Sequence, residues 1–208
     1  MMQTIAIYTT DTMADWEYAH ITAEVTRANT MRPGMFRILF VGDGTAEVKS
    51  LGGMHVKPDA DLDDLDPEKI ACLVIPGADT YFDGHDRLLA TVDRLIASCT
   101  PVAAICGATF ALAQHGVLDD RRHTSNAALF LQHSGYAGGE HYVDAPVVTD
   151  RGVTTGSGVH SVAFAAEVFR ISGLFGDELA DAWRELYLGG GLAEYENFTA
   201  ATEKVMHA

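Results

Sequence analysis

The chain has 208 residues, of which 48% are hydrophobic and 21% charged, a composition that builds one continuous core and excludes intrinsic disorder. Fourteen basic residues stand against 29 acidic ones, and the resulting formal charge of −15 disfavours nucleic acid and anionic membrane as partners. The opening MMQTIAIYTT has no basic region leading into an apolar stretch, so no signal peptide is expected, and no apolar run approaches the roughly 20 residues of a membrane span.

Short apolar runs bounded by turn residues predict buried parallel strands at Thr4 to Tyr8, Phe36 to Val41, Cys72 to Ile75 and Val102 to Ile105. Between the first two, Asp15 to Asn29 reads as a helix with Trp16, Ala19, Ile21, Ala23 and Val25 on its apolar side. Glu47 to Val56, with its Gly52-Gly53 pair, reads as a short strand and hairpin at the sheet margin. Arg87 to Ala97 sets Leu88, Leu89, Val92, Leu95 and Ile96 at helical spacing. A helix from Ala108 to His115 follows, stopped by Gly116. His141 to Thr155 reads as a strand pair turned at Asp150-Arg151-Gly152, and Ser161 to Ile171 and Glu178 to Tyr187 as closing helices.

Alternating strands and helices predict an α/β fold in which helices cover both faces of a mostly parallel sheet through right-handed crossovers. One domain over residues 1–191 is expected, with 192–208 as a weakly helical tail or a packing helix of the same domain. No repeat or linker divides the chain.

Cys72, Cys99 and Cys106 form no CxxC pair, so neither a disulfide framework nor structural zinc is expected, and a reducing cytoplasm fits. Cys72 starts an apolar strand and reads as core; Cys99 sits in a connection with no activating neighbour. A cysteine beside a strand is most often a small hydrophobe, yet Cys106 differs in its surroundings. An apolar strand runs into Cys106-Gly107 and then straight into a helix, the layout of a nucleophile elbow. The helix start points free N–H groups at the sulfur and favours thiolate. Leu73-Val-Ile-Pro-Gly-Ala-Asp79 is a second strand ending in a turn. If these strands are neighbours, the N–H groups of Ala78 and Gly107 form an anion or oxyanion site, with Asp79 at the pocket edge. Glu17, after the first strand, reads on its own as a solvated helix residue.

Taken together, Ala14-Asp-Trp-Glu17, Ile75-Pro-Gly-Ala78, Ala104-Ile-Cys-Gly-Ala-Thr109, Arg122-His-Thr-Ser-Asn126, Val148-Thr-Asp-Arg-Gly152 and Thr155-Gly-Ser-Gly158 resemble the ThiJ/PfpI superfamily, with the flavodoxin-like, class I glutamine amidotransferase-like fold. The resemblance implies that Cys106 is the nucleophile, that a protonated Glu17 hydrogen-bonds its sulfur, and that Ala78 and Gly107 supply oxyanion-hole amides. Two positions depart from it. PfpI-type proteases place His where this chain has Gly107, and several members supply His where it has Asn126. Asn126 is then a candidate to hydrogen-bond substrate or water. His123, two strand positions from Ser125, is a candidate to approach from the side, and His160 a stronger one because the matching loop borders the pocket in relatives. His20 and His115, on helices, are expected to face solvent.

The resemblance implies a cysteine-dependent enzyme for small reactive carbonyl compounds, glyoxalase-like or deglycase-like. Two alternatives stand beside it: an amidase, peptidase or amidotransferase-like hydrolase, and a non-catalytic redox sensor or stress-response protein that uses oxidation of Cys106. No cofactor is implied, since Gly42-Asp-Gly44 and Gly189-Gly-Gly191 make no dinucleotide or phosphate loop. The scattered histidines imply no metal. A small-molecule substrate and a homodimer are expected, and no nucleic-acid or membrane partner.

Overall fold

The alternation of apolar runs becomes a seven-stranded sheet in the structure, a computed structural model that describes residues 2–206. In chain order the elements are β1 (Gln3–Thr9), α1 (Ala19–Met31), β2 (Phe36–Gly42), β3 (Val48–Lys49), β4 (His55–Val56), β5 (Ala60–Asp61), β6 (Ile70–Ile75), α2 (Asp86–Ala97), β7 (Val102–Ile105) and α3 (Gly107–Gln114). Then follow α4 (Ala128–Gln132), β8 (Val147–Asp150), β9 (Val153–Gly156), α5 (Ser161–Ile171), α6 (Asp177–Gly189) and α7 (Leu192–Met206). The strand order is β5-β2-β1-β6-β7-β9-β8, parallel except for the edge strand β8. The chain therefore winds outward in both directions from β1 and β6, the flavodoxin-like arrangement, and leaves a crevice at their carboxyl ends.

Alternate residues of the central strands feed two cores, as the two-residue period of a strand requires. Ile5, Ile7, Cys72, Val74, Ala103 and Ile105 pack with Phe164, Phe169 and Trp183 on one face. Ala6, Tyr8, Leu73, Ile75, Val102 and Ala104 pack with Leu88, Val92 and Leu112 on the other. The Asp150–Val153 hairpin turns through Arg151 and Gly152 at φ of 45° and 79°. Helix α7 lies on the first core, with Ala201 buried and Phe198 and Val205 packed against it; His207 and Ala208 of the expected tail fall outside the described residues. Among the described residues no helix is long and apolar enough to cross a membrane.

Three expectations are corrected. The helix read from Asp15 starts at Ala19 instead, because Asp15–Glu17 forms its own 3-10 turn that carries Glu17 inward. Trp16, Ala19 and Ala23 are consequently exposed, and α1 buries Ile21, Glu24 and Val25. The stretch Arg122–Asn126 is no strand but an irregular segment with one isolated bridge, His123 to Tyr142. The β3–β4 hairpin was expected at the sheet margin, and it forms a separate two-stranded sheet. Hydrogen bonds from Thr12 N to Lys49 O and from Leu51 N to Met13 O hang it on the loop after β1.

Trp183 knits this side together: its ring lies 4.9 Å from Phe169, 4.3 Å from Tyr187 and 5.4 Å from His20. His20 is thus packed against aromatics, not turned to solvent as expected. Trp183→Ala should cost about 3–5 kcal/mol, read as a lower urea midpoint at unchanged slope. Trp183→Phe should cost clearly less, because the buried indole N–H has no acceptor to lose.

Candidate active site

Three adjacent strands, β1, β6 and β7, end side by side, and the segments that leave them carry Glu17, Gly77-Ala78 and Cys106. Cys106 itself takes the strained turn conformation, with φ 57° and ψ −124°. Such a conformation costs a non-glycine residue about 1–3 kcal/mol. Its N–H donates to Gly156 O at 2.9 Å, and its carbonyl accepts from Thr109 N at 3.2 Å and Thr109 Oγ1 at 2.6 Å. The elbow is present, but Gly107 serves it by close approach rather than by a special dihedral: a Cβ there would lie 2.6 Å from Ala78 O. The Ala78 N–H meets no protein acceptor among the described residues.

Around the sulfur, Asn126 Nδ2 donates to Sγ at 3.2 Å, and Asn126 Oδ1 accepts from Gly158 N at 2.8 Å, which fixes the amide. The Gly107 N–H also points at the sulfur. Glu17 is 1% exposed, and its Oε2 accepts from Gly77 N at 2.6 Å. Its Oε1 has no nitrogen or oxygen partner and faces the thiol. A Cβ on Gly158 would lie 2.8 Å from both Cys106 Sγ and Glu17 Oε1, so only glycine lets the loop close over the pair.

Burial raises the Glu17 carboxyl from 4.5 to about 7 against the lowering effect of the Gly77 N–H and the Cys106 contact. The Cys106 thiol is pushed up from its usual value, first by burial and second by the Glu17 carboxylate, while Asn126 and the Gly107 N–H pull it down. The helix start was expected to favour thiolate; burial and the Glu17 carboxylate outweigh its N–H group. The two acids are coupled, and the charge on one holds the proton on the other.

Two clefts open on this pair, of about 260 Å³ and 520 Å³, and both are lined by Trp16, Cys106 and Asn126. Ala78, Gly107 and the exposed Asp79 line the first; Glu17 and Gly158 line the second. His123 is not brought in: it is buried, with Nδ1 2.7 Å from Arg121 O and Nε2 3.0 Å from Tyr136 Oη. The expectation that it approaches the site from the side is therefore corrected, since Arg121 O and Tyr136 Oη take both ring nitrogens. His160 is exposed at the start of α5 and lines neither cleft. His115 lies against Asp93 at 2.9 Å, Cys72 is buried and Cys99 exposed. Sequence reasoning missed Trp16, whose indole N–H donates to Gly158 O at 3.2 Å across the mouth. Its place inside the Ala14–Glu17 motif was the available signal.

The chain belongs to the DJ-1/PfpI family, whose pattern it matches over residues 3–170. It is 32% identical over 192 residues to an uncharacterized protease, YoaZ, of Bacillus subtilis (strain 168), covering 89% of this chain and 91% of that one. A deglycase of Thermococcus kodakarensis, TK1284, is 30% identical over 100 residues, 47% of this chain and 59% of that one. The crystal structure of a thiJ/pfpI family protein from Bacillus anthracis superposes with a TM-score of 0.87 at 31% identity, covering 97% and 98% of the two chains.

Two outcomes are expected from the coupled pair and its lid. Folded Glu17 keeps its proton to about pH 7, whereas the unfolded chain releases it near 4.5. The stability this group contributes is therefore full below pH 4.5 and lost as pH rises through 7. Glu17→Gln should be more stable than the parent at pH 8, by on the order of 3 kcal/mol, with the difference closing toward pH 4.5 in denaturant titrations. Gly158→Ala should leave the far-ultraviolet spectrum unchanged and alter the rate of iodoacetamide labelling at Cys106 several-fold, with Cys99 as the internal control.

Proposed function

We propose that this DJ-1/PfpI protein is a cysteine-dependent enzyme for small reactive carbonyl compounds, glyoxalase-like or deglycase-like, with Cys106 as nucleophile and Glu17 as proton carrier. The contact between the buried, otherwise unpartnered Glu17 Oε1 and the sulfur supports this reading most. Once the pair has lost one proton, near pH 7, the one that remains sits on the sulfur and passes to Oε1 as the sulfur attacks, so that the nucleophile is a thiolate formed beside a neutral carboxyl.

With an α-oxoaldehyde, the thiolate adds to the aldehyde carbon. The N–H groups of Ala78 and Gly107 hold the developing oxyanion, which takes the Glu17 proton to give a hemithioacetal. The Glu17 carboxylate then removes the C–H proton from that carbon and returns it, through an enediol, to the neighbouring carbon. The aldehyde carbon is thereby oxidised and the ketone carbon reduced, leaving a thioester of a 2-hydroxy acid. Water hydrolyses the thioester and frees the thiol, so the net change is addition of one water without an outside oxidant. Asn126, held by Gly158, keeps the sulfur aimed into the cleft.

The deglycase name of the Thermococcus relative supports carbonyl substrates. The protease name of the Bacillus subtilis relative points toward hydrolysis of amides, yet the sulfur here has Asn126, Gly107 and Glu17 as partners and no histidine in contact among the described residues. That set weighs against a Cys–His peptidase. A homodimer is proposed by analogy with the family, and sedimentation equilibrium reads it directly.

Purified protein should convert methylglyoxal to lactate, and Cys106→Ala should abolish conversion; equal rates for the two would defeat the proposal. Glu17→Gln should lower kcat by about 10²-fold or more. In the parent, kcat/KM should rise with pH through about 7 as the pair loses its first proton, and that inflection should be missing in Glu17→Gln.

A further inference from the structure

Large apolar side chains on a protein surface are normally scattered. Here Trp16, Leu51, Phe82 and Val159, exposed by 50%, 51%, 60% and 85%, all line the clefts above Cys106. The two rings among them are held in place. The Trp16 indole is fixed by its bond to Gly158 O at 3.2 Å, and Phe82 meets Phe110 at 5.1 Å, which in turn meets Phe130 at 5.4 Å. Rings ordered before a ligand arrives lose little entropy when it binds.

The charges at the same opening have one sign. Asp79 and Glu17 are the charged residues lining the two clefts, and no Arg, Lys or His lines either among the described residues. A substrate carboxylate or phosphate would enter a chain of formal charge −15 with no cation to meet it. A neutral apolar group, by contrast, is removed from water between the indole and the Phe82 ring.

From this we propose that the preferred substrates are neutral α-oxoaldehydes bearing an aryl group, with the ring seated between Trp16 and Phe82 and the aldehyde at Cys106. The proposal rests on the carbonyl chemistry assigned to Cys106 and Glu17 and adds the substituent that the mouth selects. The steps balance as before: phenylglyoxal plus one water gives mandelate, the aldehyde carbon being oxidised and the ketone carbon reduced.

The test compares kcat/KM for methylglyoxal, phenylglyoxal and 4-carboxyphenylglyoxal, each divided by its rate of addition to a small free thiol. Phenylglyoxal should exceed methylglyoxal by about tenfold or more, the size expected from burying one ring, and the carboxylated probe should fall about tenfold below phenylglyoxal. Trp16→Ala and Phe82→Ala should each reduce the phenylglyoxal-to-methylglyoxal ratio about tenfold, Trp16→Phe should restore most of it, and Phe82→Arg should raise the carboxylated probe relative to phenylglyoxal. Turnover of methylglyoxal with no preference for phenylglyoxal overturns the aryl selection alone. Turnover of no probe overturns it together with the carbonyl reading. An unchanged ratio in Trp16→Ala accompanied by a changed sedimentation coefficient also overturns it, in favour of a subunit contact at the rim.

Discussion

A carboxyl and a thiol packed together away from water resist carrying two negative charges, because neither solvent nor a nearby cation spreads the repulsion. In this protein Glu17 is buried against Cys106, whose sulfur opens on the two clefts, and most of the unusual features nearby follow from keeping the pair together. Gly77 gives its N–H to one carboxyl oxygen, and the other is left to the sulfur. Gly158 has no side chain because a Cβ would strike both groups. Asn126 donates to the sulfur where a positive charge would have pinned the thiolate permanently. The result is a carboxyl and a thiol whose protonation states are coupled.

The fold makes this geometry affordable. β1, β6 and β7 lie side by side at the point where the winding of the sheet reverses, so segments distant in sequence converge on one crevice. Each then contributes something locally unfavourable: a cysteine at positive φ, a carboxyl that holds its proton to about pH 7, a backbone N–H without an acceptor. Two cores, one on each face of the sheet, offset these costs. Strain tolerated at a site and supported by well-packed neighbours is a common pattern where chemistry occurs.

The surroundings of the pair divide by character. Its floor is polar and made of backbone amides, which suits an oxygen gaining charge. The mouth is apolar and ringed by Trp16, Leu51 and Phe82, with acidic residues and no basic ones among the described lining. Family membership with relatives named as a protease and as a deglycase leaves the reaction class broad. Within that class, the proposal of addition to a carbonyl rests on the contact between Glu17 and the sulfur and on the absence of a facing histidine among the described residues.

Much of this was written in consecutive residues. The apolar runs at Cys72–Ile75 and Val102–Ile105, the Cys106-Gly107 elbow, the Pro76-Gly77 turn and the Ser161–Ile171 helix are local patterns, and period and turn chemistry carry them without reference to the rest of the chain. The resemblance of the Ala14–Glu17 motif also placed Glu17 beside the sulfur, although its own spacing read as a solvated helix. Only the tertiary structure lifted Asp15–Glu17 out of α1, turned Trp16 over the mouth, tied His123 to Tyr136 and Arg121, and left Asn126 on Cys106. The physical reason is that desolvation and side-chain direction depend on which segments the sheet order brings together. Helical or strand period records a residue's neighbours along the chain, whereas the proton affinity of Glu17 is decided by groups 60 and more positions away.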